Sequence, residues 1–166
     1  MYYYIYQMNI ELLLGLRKIK AISDYQFGPD ITDILFEDIT NIRIERSRNT
    51  NKIRFIYHQN DLILTLRPTN GFFTLTLHSA RKILNHTIPP KLRTVVQTEI
   101  SDFIKEGRNV FCKHVVDIDT DLRPMDEVIV VNQEDELLAI GRLKIPAHQV
   151  KYFQSGIAIN IRKGTL

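Results

Sequence analysis

A single cysteine, Cys112, is the only thiol in this 166-residue chain. One cysteine excludes an internal disulfide framework and any thiolate zinc cluster within one chain. Long apolar runs are also missing. The longest near the N-terminus is Leu12–Leu14, with Leu16 beyond Gly15, far short of the roughly 20 residues of a spanning helix. A secretory signal would put positive charge ahead of its apolar stretch. Here Tyr2, Tyr3, Tyr4 and Tyr6 come first, and Arg17 and Lys18 follow. A cytoplasmic chain with no membrane partner is therefore expected. His58, His78, His86, His114 and His148 show neither HxH nor HxxxH spacing, so no metal site and no cofactor are expected. Low-complexity segments and repeats of fixed period are absent.

What is present is ordinary globular composition, 44% hydrophobic and 25% charged, enough for one domain or two small ones. Net charge is +3, but its distribution is uneven. Residues 1–90 hold 11 Lys/Arg against 8 Asp/Glu, and residues 91–166 hold 11 of each. Eight acids lie between Asp117 and Glu136, opposed there only by Arg123. Separation into basic and acidic surfaces points to an anionic partner more strongly than the small net excess does.

Ile10, Leu13, Leu14, Arg17 and Ala21 follow helical spacing, with Asn9 as the expected N-cap and Gly28-Pro29 as the stop. Asp30 reads as the cap of a second, short helix through Phe36. Four alternating runs follow, centred on Ile42–Ile44, Ile53–Tyr57, Leu62–Leu66 and Phe73–Leu77, with turns at Asn60-Asp61 and Asn70-Gly71. They predict an antiparallel meander with one apolar face and an opposite face carrying Arg43, Arg54, His58, Arg67 and His78. A short helix over 79–85 closes this part. Pro89-Pro90 blocks helix and ladder alike, which sets the expected domains at 1–90 and 91–166. Beyond it, strands are expected at Arg93–Thr98, Val110–Val116, Glu127–Asn132, Leu137–Ile145 and Ile157–Arg162. A brief helix capped by Ser101 ends at Gly107, and another starts at Pro146. Many short strands around two short helices suggest a small closed barrel.

Asp24-Tyr25-Gln26-Phe27-Gly28 reads as a helix end or as a docking point. Glu134-Asp135-Glu136 reads as a solvated hairpin tip. Cys112, with no base signature around it, reads as a buried structural thiol. The basic residues carry the functional signal. Gly107-Arg108-Asn109 lies between a helix and a strand, where glycine lets a phosphate or base approach the backbone. Arginine there supplies charge, and asparagine can bond a base edge or sugar hydroxyl. Arg162-Lys163-Gly164 lies on the last strand.

The second half resembles a PUA domain, an RNA-binding pseudo-barrel found in tRNA- and rRNA-modifying enzymes. The matching features are Gly107 before its strand, the turn from Arg123 through Pro124, Met125, Asp126 and Glu127 to Val128, the run Leu138-Ala139-Ile140-Gly141-Arg142, and the segment from Gly156 to Gly164. The family usually has glycine where Met125 stands. The stretches Ile22–Gly28, Arg54–Leu84 and Ile88–Val96 resemble the segment just before the PUA domain in the archaeosine tRNA-guanine transglycosylases, and archaeosine synthase carries a similar pair. The resemblance implies an α+β fold, a helix-flanked antiparallel sheet followed by a PUA-like mixed β-barrel. The catalytic barrel and three-cysteine, one-histidine zinc site of those enzymes have no counterpart here. A chain this short has no room for a barrel of about 250 residues beside these domains.

In the PUA family the loop after the first helix and the last strands form the RNA groove. The resemblance therefore implies RNA contacts at Lys105, Gly107, Arg108, Asn109, Lys113, Arg142, Arg162 and Lys163. The implied function is non-catalytic binding of structured RNA, tRNA through its acceptor stem or 3′ end, as an accessory subunit beside a catalytic tRNA-modifying partner. The alternative is a free-standing RNA-binding or ribosome-associated factor.

Overall fold

The computed structural model describes residues 2–166, with side chains from Ile10 onward. Helix α1 (Tyr2–Phe27) runs through Asn9, so Asn9 is interior and not the expected cap. The side chains of Tyr2, Tyr3 and Tyr4 lie outside the described residues. Gly15, Ile19, Ser23 and Phe27 are buried, one every four residues, which lines them up along one face. At Gly15 the missing side chain makes room for β1, since a Cβ there would come within 2.9 Å of Ile44 Cδ1. Helix α2 (Pro29–Leu35) has Pro29 in its first turn, where a missing N–H costs nothing. Gly28 occupies the cap position and Asp30 lies inside the first turn, which corrects the expected Asp30 cap. The two helices are locked by a buried bond from Thr32 Oγ1 to Ser23 Oγ, 2.8 Å.

Strands β1 (Ile42–Arg46), β2 (Ile53–His58), β3 (Asp61–Leu66) and β4 (Phe73–Leu75) form the expected antiparallel meander in chain order. Its faces differ from the expected ones. Ile44 pairs with Ile56, Ile56 with Leu64 and Leu64 with Leu75, which makes the core face. His58 pairs with Ile42 and so shares that face. Bulges at Glu45/Arg46 and Ile56/Tyr57 shift the alternation by one residue. Phe55 and Tyr57 therefore lie on the outer face, with Arg43 stacked 4.0 Å from the Tyr57 ring centroid. His78 is not on the sheet, because Leu77 already begins helix α3 (Leu77–His86). Gln26, at the end of α1, bonds both backbone groups of Phe73 through its amide: Nε2 donates to the carbonyl at 2.8 Å and Oε1 accepts from the N–H at 2.7 Å.

The chain forms two compact units, residues 1–79 and 80–166, so the division falls within α3. The reason residues 80–90 belong with the second unit is Arg93. Its side chain is fully buried and donates to the carbonyls of Leu84, Thr87 and Lys91 and to Thr87 Oγ1, all at 3.0–3.2 Å. With His86 Nδ1 on the Lys82 carbonyl and Thr87 Oγ1 on that of Ile83, it satisfies carbonyls the last helical turn leaves open. Arg93 Nε lies 2.9 Å from Asp135 Oδ1. The 134–136 tip is the exposed turn expected at Glu134 and Glu136, with Asp135 tying it to the buried Arg93.

The second unit holds strands β5 (Arg93–Val96), β6 (Val110–Phe111), β7 (Val115–Ile118), β8 (Glu127–Val131), β9 (Leu137–Leu143) and β10 (Ile157–Gly164), with helices α4 (Ser101–Lys105) and α5 (Ala147–Val150). The sheet order is β6-β10-β9-β8-β5-β7, antiparallel except for β5 with β8. Its two end strands, β6 and β7, are joined by the 3-10 turn Cys112–His114. This splits the single strand expected over 110–116 and nearly closes the sheet into a barrel. Every residue of β8 is buried, Val128–Val131 as an unbroken apolar run requires and Glu127 with them. Ser101 is the first residue of α4, not its cap, and Pro146 caps α5.

Candidate nucleic-acid interface

Helix α4 ends at Lys105 and is followed by Glu106 and Gly107, and Gly107 at φ +93° takes a backbone conformation that side chains rarely adopt. The chain then turns sharply into Arg108 and Asn109. Asn109 Oδ1 accepts the Ile161 N–H at 2.9 Å, pinning this loop to β10. A few residues on, Gly164 lies so close to α4 that a Cβ would overlap the Lys105 carbonyl. The structure thus brings 105–109 and 161–164 together along one edge of the barrel.

The eight expected contact residues fall into different states there. Arg108 is exposed, with its guanidinium 5.4 Å from the Phe103 ring centroid and Nε 3.5 Å from Glu106. Lys113 and Lys163 are exposed. Lys105 is held by Glu136, Nζ to Oε1 2.7 Å. That bond raises the lysine pKa and lowers that of the carboxyl. Arg142 and Arg162 converge on Glu127, whose side chain is fully buried, at 3.8 Å and 2.8 Å. A buried carboxylate needs such partners, because desolvation costs several kcal/mol per ion. Both arginines therefore have a structural task in holding that carboxylate.

Beside Arg108 is a cleft of about 260 Å³ lined by Ile100, Phe103, Ile104, Arg108, Asn109, Phe111 and His114. Phe103 and Phe111 are about half exposed. An open slot with two aromatic rings, a stacked guanidinium and polar edges fits a planar base next to a phosphate. Phe103, Phe111 and His114 were not among the contact residues expected from the sequence. Their signal was present: Phe103 precedes the buried Ile104, and Phe111 alternates with the buried Val110 and Cys112. Burial raises the Cys112 thiol pKa, which leaves it a core residue. Among the described residues no group of three His, Cys, Asp or Glu could hold a metal ion. No described helix is long and apolar enough to cross a membrane.

Residues 93–165 match the PUA domain and residues 17–90 the patch-forming domain C2 of tRNA-guanine transglycosylase. The chain is thus a PUA-domain protein. More narrowly, its two matched regions correspond to the C-terminal C2–PUA part of the tRNA-guanine(15) transglycosylases. The enzyme of that name from Methanobrevibacter smithii is 45% identical over 149 residues, covering 90% of this chain and 22% of the relative. That from Methanothermobacter thermautotrophicus is 38% identical over 162 residues, 97% of this chain and 24% of the relative. The chain therefore spans about a quarter of the length of these relatives, and what it matches are their non-catalytic accessory domains. The fold is shared with a hypothetical protein from Pyrococcus horikoshii OT3, TM-score 0.72 at 19% identity over 90% of this chain and 89% of the other. A conserved PUA domain protein from Thermoplasma acidophilum gives 0.62 at 17% identity, covering 92% and 89%.

Proposed function

We propose that this C2–PUA pair binds structured RNA without catalysing a reaction on it, taking tRNA by its acceptor stem or 3′ end as the RNA-docking part of a tRNA modification system. The observation that carries this reading is the cleft at Arg108, where Phe103, Phe111 and an exposed guanidinium meet at the edge formed by Gly107–Asn109 and β10. A stem is read by shape and backbone contacts, and its unpaired end by stacking. Lys113 and Lys163 add exposed positive charge without sequence preference. Within the expected set, Arg108, Lys113 and Lys163 make phosphate contacts, while Lys105, Arg142 and Arg162 shape the groove through their acid partners. The domains divide the work: residues 91–166 hold the RNA, and residues 1–90 face a tRNA-modifying subunit. Exposed Ile10, Leu13 and Leu14 on α1 suit that second contact.

The test is titration of the pure chain with tRNA and with tRNA trimmed of its unpaired 3′ nucleotides, at two salt concentrations. Tighter binding to the intact form, weakening as salt rises, is expected. Equal binding to any duplex would refute the 3′-end reading. Recovery from native cells with ribosomal particles and no modification enzyme would favour the free-standing factor.

A further inference from the structure

The loop over residues 151–156, between α5 and β10, is fastened at both ends to the segment 112–117. Lys151 Nζ lies 2.9 Å from Asp117 Oδ1, and the Gly156 carbonyl accepts the Cys112 N–H at 2.9 Å. The lysine's hydrogen bond lowers the Asp117 pKa, so the two charges neutralise each other. Between these fastenings stand two consecutive aromatic side chains, Tyr152 at 83% and Phe153 at 47% exposure. Apolar side chains exposed side by side are a feature of interaction surfaces. The segment to which the loop is fastened carries the exposed Lys113 and the turn residue His114, with Phe111 exposed just before that turn.

Phe111 and His114 also line the cleft of Arg108. The cleft and the Tyr152–Phe153 loop therefore flank the same short turn. We propose that Tyr152 and Phe153 form a second stacking platform, which takes unpaired nucleotides of the bound RNA as they run on past the Arg108–Phe103 cleft. This rests on the RNA-binding reading above and extends it to a further site. Stacking on aromatic rings accepts every base, since every base has a π-face. Lys113, exposed on the turn to which the loop is fastened, supplies the charge that a backbone phosphate needs there. Two rings and one cation make a small surface suited to one or two nucleotides, whereas a stable protein interface needs far more area.

The experiment compares the full chain's affinity for a blunt acceptor-stem hairpin and for the same hairpin with an unpaired 3′ extension. The unmodified chain should bind the extended RNA about tenfold tighter or more. The double variant Tyr152→Ala with Phe153→Ala should lose most of that gain and keep its affinity for the blunt hairpin. Because the chain contains no tryptophan, Tyr152→Trp gives a second readout that needs no loss of residues. Its fluorescence should be quenched by the extended RNA and not by the blunt one. Failure to bind either RNA would overturn both readings. A full extension gain in the double variant, or unquenched Tyr152→Trp, would overturn the platform alone and leave RNA binding intact. Loss of self-association in the double variant, with the extension gain unchanged, would overturn it in favour of a protein contact.

Discussion

Two groups of arginines in the barrel unit illustrate what decides whether a positive charge builds the protein or meets a ligand. Arg93, Arg142 and Arg162 each face an acid fixed by the fold, and Arg93 is buried completely. Arg108 sits over the Phe103 ring at the surface, 5.4 Å from its centroid, and pairs with the exposed Glu106 at 3.5 Å. The same side chain thus serves two ends. In the first group it satisfies carbonyls and carboxylates of the fold, from full burial at Arg93 and with about a third of the side chain exposed at Arg142 and Arg162. On the surface, ring stacking aligns the guanidinium while most of its donors stay open.

The sharpest way to break this contrast is to remove the enclosed member. Arg93→Ala should cost about 3–5 kcal/mol of the barrel's stability, because Asp135 and the carbonyls of Leu84 and Thr87 lose their partner together. Denaturant titration would show it as a lowered midpoint. Arg162→Glu, which turns a cation into an anion beside the buried Glu127, should destabilise by about 2–4 kcal/mol. If that variant melts normally, Arg162 belongs with the open group. Arg108→Glu should leave the melting transition within about 0.5 kcal/mol. It should weaken tRNA binding by about 1.5–3 kcal/mol, the range for a charge-assisted contact. Unchanged affinity would move the groove away from α4.

Smaller effects sharpen the same picture. Met125 sits exposed at φ +77° with its N–H on the Leu143 carbonyl, and Met125→Gly should stabilise by up to about 1 kcal/mol by relieving that conformation. The Lys105–Glu136 bond lowers the Glu136 pKa below its ordinary 4.5. Its contribution is therefore complete above that value and fades as pH falls through the lower, folded-state pKa. Glu136→Gln should lose less stability than the parent on acidification below about pH 4.5, as thermal melts across that range would show.

Much of this architecture was legible in the chain itself. The meander, the barrel strands and both short barrel helices follow from alternation and from Gly and Pro placement. The PUA motifs located the edge near Gly107. Three things were not legible. Bulges in β1–β2 and β2–β3 exchange the faces of Phe55, Tyr57 and His58, and a one-residue shift leaves no compositional trace. The pairing of Arg142 and Arg162 with Glu127 joins residues on three strands, which local pattern cannot reveal. The helix caps at Asn9, Asp30 and Ser101 were misplaced because helix boundaries answer to neighbours as much as to capping residues.

The amide of Gln26 has a consequence for how this chain behaves at high concentration. β4 is the last strand of its sheet and only three residues long. An uncovered strand rim invites a foreign strand to add on, the first step of domain swapping and fibrous aggregation. Gln26 imitates one peptide unit of such an intruder, giving Phe73 both the acceptor and the donor it would otherwise offer. Replacing it with leucine would keep the helix and reopen that rim, and the expected cost is a lower solubility limit more than a lower melting point.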